Sequence, residues 1–428
     1  MKPAPPIRFV DFSVKFIMLE SPTFLVSRDL PSACEQESKW AYNAFCVTSL
    51  SKTKSWKPSE GSLVISHSES SQSDNDNQSD STSLINQIGF DLTINCLLHS
   101  SRSDYGSIAS LNRKFRTLIR NGELYKLRRT MGIIEHWVYF SCNLFKWEAF
   151  DPIRRRWMRL PTMDCNECFM CSDKESLAVG TELLVFGKEI DTHVVYKYSI
   201  LTNSWSPATK TTTPRCLFAS ASLNEIAIVA GGCSPSGNVL KSAELYNSET
   251  GTWVCLPNMN KPRKMCSGVF MDSKFYVIGG IGEENSNELT CGEVFDLKTG
   301  IWTVIPGMFP AGGQDAPAGG KAPPLLAVVK NELYAADYEE GVVRRYNKGR
   351  NIWIRVGGLP ERASSMNGWG VAFRACGDEL IVIGGPRVSY GGVIELNSWV
   401  PDENPPQWNL LARKHSSGFV YNCAVMGC

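Results

Sequence analysis

The chain has 428 residues, which is too long for one ordinary hydrophobic core, so two or more domains are expected. Its 43% hydrophobic and 20% charged residues are typical of a globular protein, and a net charge of +1 excludes wholesale binding to nucleic acid or acidic surfaces. No apolar run approaches the roughly 18 residues of a membrane span, and Met1–Ile17 lacks a signal peptide's continuous apolar stretch. The expected location is therefore the nucleus, the cytoplasm or both. Fifteen cysteines without a disulfide-framework spacing predict reduced thiols.

Residues 1–83 predict a mostly disordered N-terminal arm. Residues 1–63 show no sustained period, and Met18 opens a stretch that looks more like a protein start than Met1 does. Ser66–Ser83 contains no hydrophobic residue, so it cannot bury enough surface to offset the entropy of ordering. We expect this stretch to be a solvated acidic linker. Its serines beside acidic residues leave control by phosphorylation open as an alternative.

Between residues 84 and 132 the hydrophobic pattern becomes helical. Apolar residues recur near i, i+4 spacing over Leu84–Leu98 and again over Ile108–Ile119, and Ser103-Asp104 is the predicted N-cap of the second helix. A third, shorter helix is predicted over Gly122–Thr130. A domain of three short helices would be marginal alone, so we expect it to depend on a partner or on the adjoining domain.

This helical segment resembles an F-box. Its Ser103-Asp104-Tyr105 step matches the Ser/Asp-Tyr step of that family, and the helix that follows carries the family's apolar positions at Leu111, Phe115, Leu118 and Ile119. The resemblance implies that a Skp-type adaptor binds the apolar residues Leu84, Ile88, Leu92, Ile94, Leu97, Leu98 and Tyr105. The segment also carries seven basic residues between Arg113 and Arg129. These are expected to form a solvated or adaptor-facing surface, with a nucleic-acid-binding face as the alternative.

From residue 133 onwards the pattern has period two, and a tryptophan recurs. The separations are 48, 48, 49, 51 and 55 residues, between Trp157, Trp205, Trp253, Trp302, Trp353 and Trp408. The first five tryptophans each follow an aromatic residue by seven positions. Three units carry an apolar run that ends in a glycine pair, namely Gly231-Gly232, Gly279-Gly280 and Gly384-Gly385. A near-fixed period with four short strands per unit predicts a β-propeller.

The repeat resembles the kelch motif, in which an apolar strand ending in Gly-Gly is followed by a spaced aromatic residue and a tryptophan. Six units are predicted at about 133–163, 164–213, 214–264, 265–314, 322–363 and 364–415. The glycines are expected to permit close backbone approach and positive φ, and the tryptophans to pack between neighbouring blades. We assign these residues a structural role and no chemistry.

The count of strands predicts how the ring closes. The first unit has only three predicted strands, and a lone strand at 417–426 follows the last unit. That strand would become the innermost strand of the first blade, so that no edge is left unpaired. The predicted fold is thus mainly β: a six-bladed kelch propeller at 133–428, preceded by a small all-α F-box domain at 84–132 and the disordered arm.

The strongest candidate for a reactive site is a cluster of three cysteines, Cys165, Cys168 and Cys171. Zinc normally takes four ligands, and no fourth cysteine or histidine follows at metal-site spacing, so packed or loop thiols are expected. The sequence has no P-loop, dinucleotide-binding fingerprint, H-E-x-x-H or G-x-S-x-G motif. We therefore predict no catalytic residue, no metal and no cofactor.

The whole arrangement is similar to the plant F-box/kelch-repeat proteins. That resemblance implies a non-catalytic substrate-recognition subunit of an SCF-type ubiquitin ligase, in which the F-box binds the Skp-type adaptor and its cullin scaffold. The propeller would bind an unidentified target protein through its longer loops, at 234–238, 282–290, 306–323 and 386–391. The alternative is a kelch interaction scaffold without ligase association, which the absence of the F-box's usual opening Leu-Pro would fit.

Overall fold

The computed structural model describes residues 89–143, 145–171, 174–283, 288–309, 321–363, 365, 367–385, 392–402, 406–416 and 418–428. The predicted N-terminal arm, Leu84 and Ile88 lie outside these residues. The described chain divides into a helical unit that ends at Ile134 and a β-propeller that begins at Glu135. Among the described helices, none has the length and apolar character needed to cross a bilayer.

The helical unit contains four short helices, α1 (Phe90–His99), α2 (Tyr105–Leu111), α3 (Arg113–Arg120) and α4 (Glu123–Thr130). The sequence predicts α2 and α3 as one helix, but Asn112 is extended and separates them. The Asn112 side-chain oxygen accepts a hydrogen bond from the Phe115 amide at 2.9 Å, which caps α3. A 3-10 turn at Arg102–Asp104, capped by Ser101, precedes α2. The N-cap residue of α2 is Asp104, within the predicted Ser103-Asp104 step, although its side chain makes no capping hydrogen bond.

The six-bladed propeller predicted from the tryptophan spacing is confirmed, and each blade is an antiparallel sheet. The first two blades contain β1 (His136–Asn143), β2 (Lys146–Asp151), β3 (Arg156–Arg159), β4 (Phe169–Met170), β5 (Ser176–Val179), β6 (Glu182–Glu189), β7 (Thr192–Ser199) and β8 (Ser204–Pro207). The third and fourth contain β9 (Ala219–Leu223), β10 (Ile226–Ala230), β11 (Ala243–Asn247), β12 (Thr252–Leu256), β13 (Ser267–Met271), β14 (Lys274–Ile278), β15 (Gly292–Asp296) and β16 (Ile301–Ile305). The last two contain β17 (Leu325–Val329), β18 (Glu332–Asp337), β19 (Val342–Asn347), β20 (Ile352–Gly358), β21 (Ala372–Cys376), β22 (Glu379–Gly384), β23 (Gly392–Trp399) and β24 (Asn409–Ser416).

A strand from the end of the chain completes the first blade. This strand, β25 (Asn422–Gly427), pairs with β1 from His136 to Ser141, and the blade has the order β25-β1-β2-β3. The innermost strands then form a ring around a central channel, with β25, β5, β9, β13, β17 and β21 each next to its neighbour and β21 next to β25. The first blade therefore combines residues from both ends of the propeller.

The hydrophobic core of the propeller lies between neighbouring blades. One cluster joins Ile228 of the third blade to Phe275 of the fourth, and another joins Val138 of the first blade to Ile383 of the sixth. These four side chains are completely buried. Because each blade buries its two faces against two neighbours, the stability of one blade depends on the presence of the next.

A polar contact between the fourth and fifth blades predicts a pH dependence. Burial opposes ionisation of Asp272, but hydrogen bonds from Lys348 and Asn331 outweigh it and lower the pKa of this carboxyl. A lowered carboxyl pKa adds stability above the unfolded value of about 3.9, and this contribution is lost as the pH falls through the folded value. We expect Asp272→Asn to lower the melting temperature at pH 7 and to have little effect near pH 3.

The control for this prediction is Asp378→Asn, an exposed carboxyl in the corresponding turn of the sixth blade. Melting curves of both variants and the unchanged protein between pH 3 and 7 test it. If Asp272→Asn lowered the melting temperature as much at pH 3 as at pH 7, the lowered pKa of Asp272 would not be the cause of the stabilisation.

Candidate functional site

The predicted adaptor-binding residues divide into exposed and buried groups. Leu92 is 61% exposed on α1 and Ile94 is half-buried, so both side chains reach the surface of the helical unit. Leu97, Leu98 and Tyr105 are at most 4% exposed and form the core of the unit. A direct adaptor contact by these three residues stays a prediction, and in this structure their side chains are buried within the helical unit.

The basic residue Arg128 belongs to the same core and not to a basic surface. It is 1% exposed, and its Nη1 donates to the carbonyls of Leu98 and Ser100 at 2.9 and 2.7 Å. It also donates to the hydroxyl of Tyr105 at 3.0 Å, and that hydroxyl donates to the Leu97 carbonyl at 2.7 Å. The guanidinium thus satisfies carbonyls at the C-terminal end of α1, where a cation is favoured.

Most of the kelch glycines occupy positions where an added side chain would clash with neighbouring atoms. Gly231, Gly232, Gly279 and Gly280 all have positive φ, between 67° and 92°. A Cβ on Gly232 would lie 2.4 Å from a backbone carbonyl oxygen, closer than any real contact. Gly384 lacks positive φ but would place a Cβ 2.2 Å from the carbonyl oxygen of Arg362. Its neighbour Gly385 meets no atom closer than 3.5 Å.

Five of the six recurring tryptophans donate a hydrogen bond to the preceding blade. Their indole Nε1 atoms donate to backbone carbonyls at 2.8–2.9 Å, from Trp205 to Pro161, Trp253 to Thr209, Trp302 to Pro257, Trp353 to Met308 and Trp408 to Gly358. Each acceptor lies at or just beyond the end of the outermost strand of the preceding blade. Trp157 meets the sixth blade differently, with Lys414 Nζ 5.1 Å from its ring centroid. The tryptophans therefore join neighbouring blades.

Two buried ion pairs, which are not among the sequence-based predictions, lie in the third and fourth blades. Arg215 donates to Glu244 at 2.6 Å, and Arg263 donates to Glu293 at 2.7 Å. All four side chains are at most 1% exposed. Each arginine also donates to two backbone carbonyls of its own blade. The repeat period could have revealed them, because each arginine follows a proline and each glutamate precedes the repeat aromatic by two residues.

The longer connections of the propeller emerge from one face. Since the four strands of a blade alternate in direction, the second-to-third-strand connections and the blade-to-blade connections share a face, which we call the loop face. Residues 234–238 and the described ends of 282–290 and 306–323 lie there. Residues 386–391 lie outside the described residues. The loop face is thus the side that presents the longer irregular connections.

At the loop-face end of the channel, three blade-to-blade connections bring aromatic and cationic side chains together. Lys174 precedes β5, Trp369 precedes β21, and Phe419 and Tyr421 precede β25. Lys174 Nζ lies 5.6 Å from the centroid of the Trp369 ring. Phe419 and Tyr421 are stacked with their centroids 4.6 Å apart. With Arg374 of β21, these residues are called the mouth cluster.

A small recess of about 10 Å³ lies within the mouth cluster. Its lining residues are Lys174, Val371, Ala372, Arg374, Val420, Tyr421 and Cys423. The only charged side chains among these are the cations Lys174 and Arg374. Burial raises the pKa of the Cys423 thiol to about 11, while the positive charges of Arg374 and Lys174 act in the opposite direction. The recess can accept one group about the size of a water molecule.

The predicted loop thiols lie around β4. Burial, reinforced by the negative charges of Glu189 and Asp164, raises the pKa of the Cys165 thiol to about 11. Cys168 is exposed, and the Cys171 sulfur accepts a hydrogen bond from the Asn422 side chain at 3.6 Å. In the part of the chain that the structure describes, no three potential metal ligands come together.

Comparison with known proteins identifies the family. The Kelch motif model matches residues 214–260 and 262–309, which correspond to the third and fourth blades. F-box/kelch-repeat protein At1g74510 of Arabidopsis thaliana is 57% identical over 96% of this chain and the full length of the relative. F-box/kelch-repeat protein SKIP11 of the same plant is 64% identical over 83% of this chain and 79% of the relative. The chain belongs to the F-box/kelch-repeat protein family.

Proposed function

We propose that this protein is the substrate-recognition subunit of an SCF-type ubiquitin ligase. Its helical unit would bind a Skp-type adaptor, which connects it to the cullin scaffold, and its propeller would bind the target protein. The family membership supports this function, and so does the propeller, whose rigid scaffold presents several connections on one face.

The observation that carries the proposal is the apolar surface of the helical unit. Among the described residues, six of the thirteen exposed large hydrophobic side chains lie in this unit, although it is far shorter than the propeller. They are Phe90, Leu92, Leu111, Leu127, Met131 and Ile134. A concentration of exposed apolar side chains on a small unit is typical of a protein-binding surface.

The proposed role requires no reactive side chain. A receptor that holds its target beside the charged ubiquitin-conjugating enzyme raises the effective concentration of the target lysine. The chemistry is then carried out by other subunits of the complex. This protein would contribute through the affinity and the orientation of its two binding surfaces.

A charge placed in the apolar surface of α1 should prevent adaptor binding. We expect Leu92→Asp to weaken binding of the Skp-type adaptor at least tenfold, since burying a leucine side chain contributes about 1.5–3 kcal/mol and 1.4 kcal/mol corresponds to a factor of ten. Pull-down followed by titration of the purified full chain with the adaptor measures the effect. Leu92 suits this purpose better than Leu97, because a change at the buried Leu97 would also unfold the unit.

The matched control is Ile153→Asp, the same type of change at a 71% exposed position in a propeller turn. It should bind the adaptor as tightly as the unchanged protein. Failure of the unchanged protein to recover any adaptor would reject the ligase role in favour of an interaction scaffold. Equal loss in both variants would show that Leu92 has no specific part in the contact.

A further inference from the structure

We propose that the mouth cluster binds an acidic segment of the target protein. A carboxylate of that segment would contact the two cations, and the apolar residues beside it in the target would pack on the aromatic rings. This inference rests on the proposed function, because it names the chemistry of the target that the propeller would recognise. It follows from the charge, the aromatic content and the positioning of the cluster.

Charge is the first argument. Arg374 donates to two backbone carbonyls, those of Cys423 at 3.1 Å and Phe373 at 3.1 Å, and to no carboxylate of the described residues. Carbonyls accept its hydrogen bonds, but as neutral groups they carry no full negative charge to pair with the guanidinium. Lys174 adds a second cation to the same recess, whose lining contains no acidic residue. An anionic group at this position would gain from both charges.

The size of the recess restricts the anion. A volume of about 10 Å³ accepts one small group, such as one oxygen of a carboxylate. Single-stranded nucleic acid usually requires a longer positively charged groove that follows its backbone. Two cations around a recess of this size therefore favour a single acidic side chain over a polynucleotide.

The aromatic residues supply an apolar surface for the target residues that flank the acidic side chain. Trp369, Phe419 and Tyr421 are all half-buried, so each ring keeps part of its area available to a partner. Aromatic side chains lose little conformational entropy on binding and are enriched at the energetic centres of interfaces. The acidic residue would thus be held between apolar contacts that exclude water and strengthen the charge interaction.

The cluster is held in place before any partner arrives. Ser365 Oγ donates to the Trp369 carbonyl at 3.0 Å and accepts from the Gly368 amide at 3.0 Å, which fixes the loop before β21. Lys174 Nζ donates to the Val371 carbonyl at 2.9 Å, and this bond joins the second blade to the sixth. A site whose geometry is set in advance binds with less loss of entropy.

Selection from a random dodecapeptide library displayed on phage, with the full chain as bait, tests the proposal. We expect the selected peptides to be enriched in aspartate and glutamate, and Arg374→Met to bind them at least tenfold more weakly than the unchanged protein. The matched control Arg350→Met removes an exposed cation from a turn on the opposite face and should bind normally. If Arg374→Met fails to fold, Trp369→Ala should give the same tenfold loss.

Three results would overturn the proposal: no selected peptide, peptides without acidic enrichment, or unchanged binding by both mouth-cluster variants. Competition by an oligothymidylate at the peptide's own concentration would also overturn it, in favour of nucleic acid. Adaptor binding is measured on the same variants and should stay at the level of the unchanged protein. Failure of the mouth cluster is thereby distinguished from failure of the ligase role.

Discussion

Truncation of the chain after Ser416 is expected to abolish cooperative unfolding of the propeller. The lost segment contains β25, the innermost strand of the first blade, whose Cys423 and Met426 are at most 2% exposed. Without it, β1 has an unpaired edge facing the channel, and the contact that β25 makes with β21 of the sixth blade is lost. We expect the sharp transition in urea, followed by circular dichroism, to be replaced by a broad and early one.

Two further proteins make this result specific. Ala424→Arg places a large cation at a 4% exposed position of β25 and should reproduce the loss in a chain of full length. Asn409→Ala, on the outermost strand of the sixth blade, changes an exposed side chain and should leave the transition sharp. A truncated chain that melts as the unchanged protein does would rule out closure by β25.

Removal of one partner of a buried ion pair should have the second large effect. We expect Arg263→Met to lower the free energy of unfolding by about 3–5 kcal/mol, because Glu293 is left charged and unpaired in the protein interior. The Glu293 carboxylate also accepts hydrogen bonds from the amides of Asn260 and Lys261. The Glu293 carboxylate is therefore held in the interior and cannot rotate towards water. The lost free energy of unfolding consequently destabilises the whole fourth blade.

The double variant Arg263→Met with Glu293→Gln distinguishes the cost of the unpaired buried charge from the cost of the lost hydrogen bonds. It should recover part of the loss, since the glutamine oxygen still accepts hydrogen bonds but carries no charge. Lys274→Met, which breaks the exposed pair with Asp296 in the same blade, is the matched control and should have a far smaller effect. Denaturation in urea measures all three, and an Arg263→Met cost no larger than that of Lys274→Met would contradict the argument.

The number of blades could be predicted from the sequence because each blade makes the same kind of contact with its neighbour. A tryptophan that joins neighbouring blades has to recur once per blade, so its spacing in the chain counts the blades. The buried pairs recur in the same way, because Arg215 and Arg263 are separated by one repeat period, although neither is among the sequence-based predictions. A contact that recurs in each blade therefore requires residues that recur at the repeat spacing in the sequence.

Features that occur once are much harder to predict. Apolar spacing shows that Leu97 and Leu98 lie on one face of a helix, but not whether that face meets another helix or a partner. Arg128 looks like one more surface cation, because its buried position depends on carbonyls thirty residues earlier. The mouth cluster joins residues 174, 369 and 421, which lie in irregular connections and carry no period.

The pairing of β25 with β1 also has a consequence for the order of events during synthesis. The three outer strands of the first blade leave the ribosome long before the strand that completes them. At about 5–20 residues per second, the interval between Arg159 and Asn422 is on the order of 15–50 s. Throughout that interval the nascent propeller is an open arc, while the helical unit has already emerged. The surface proposed to bind the adaptor is thus available earlier than the closed ring proposed to bind the target.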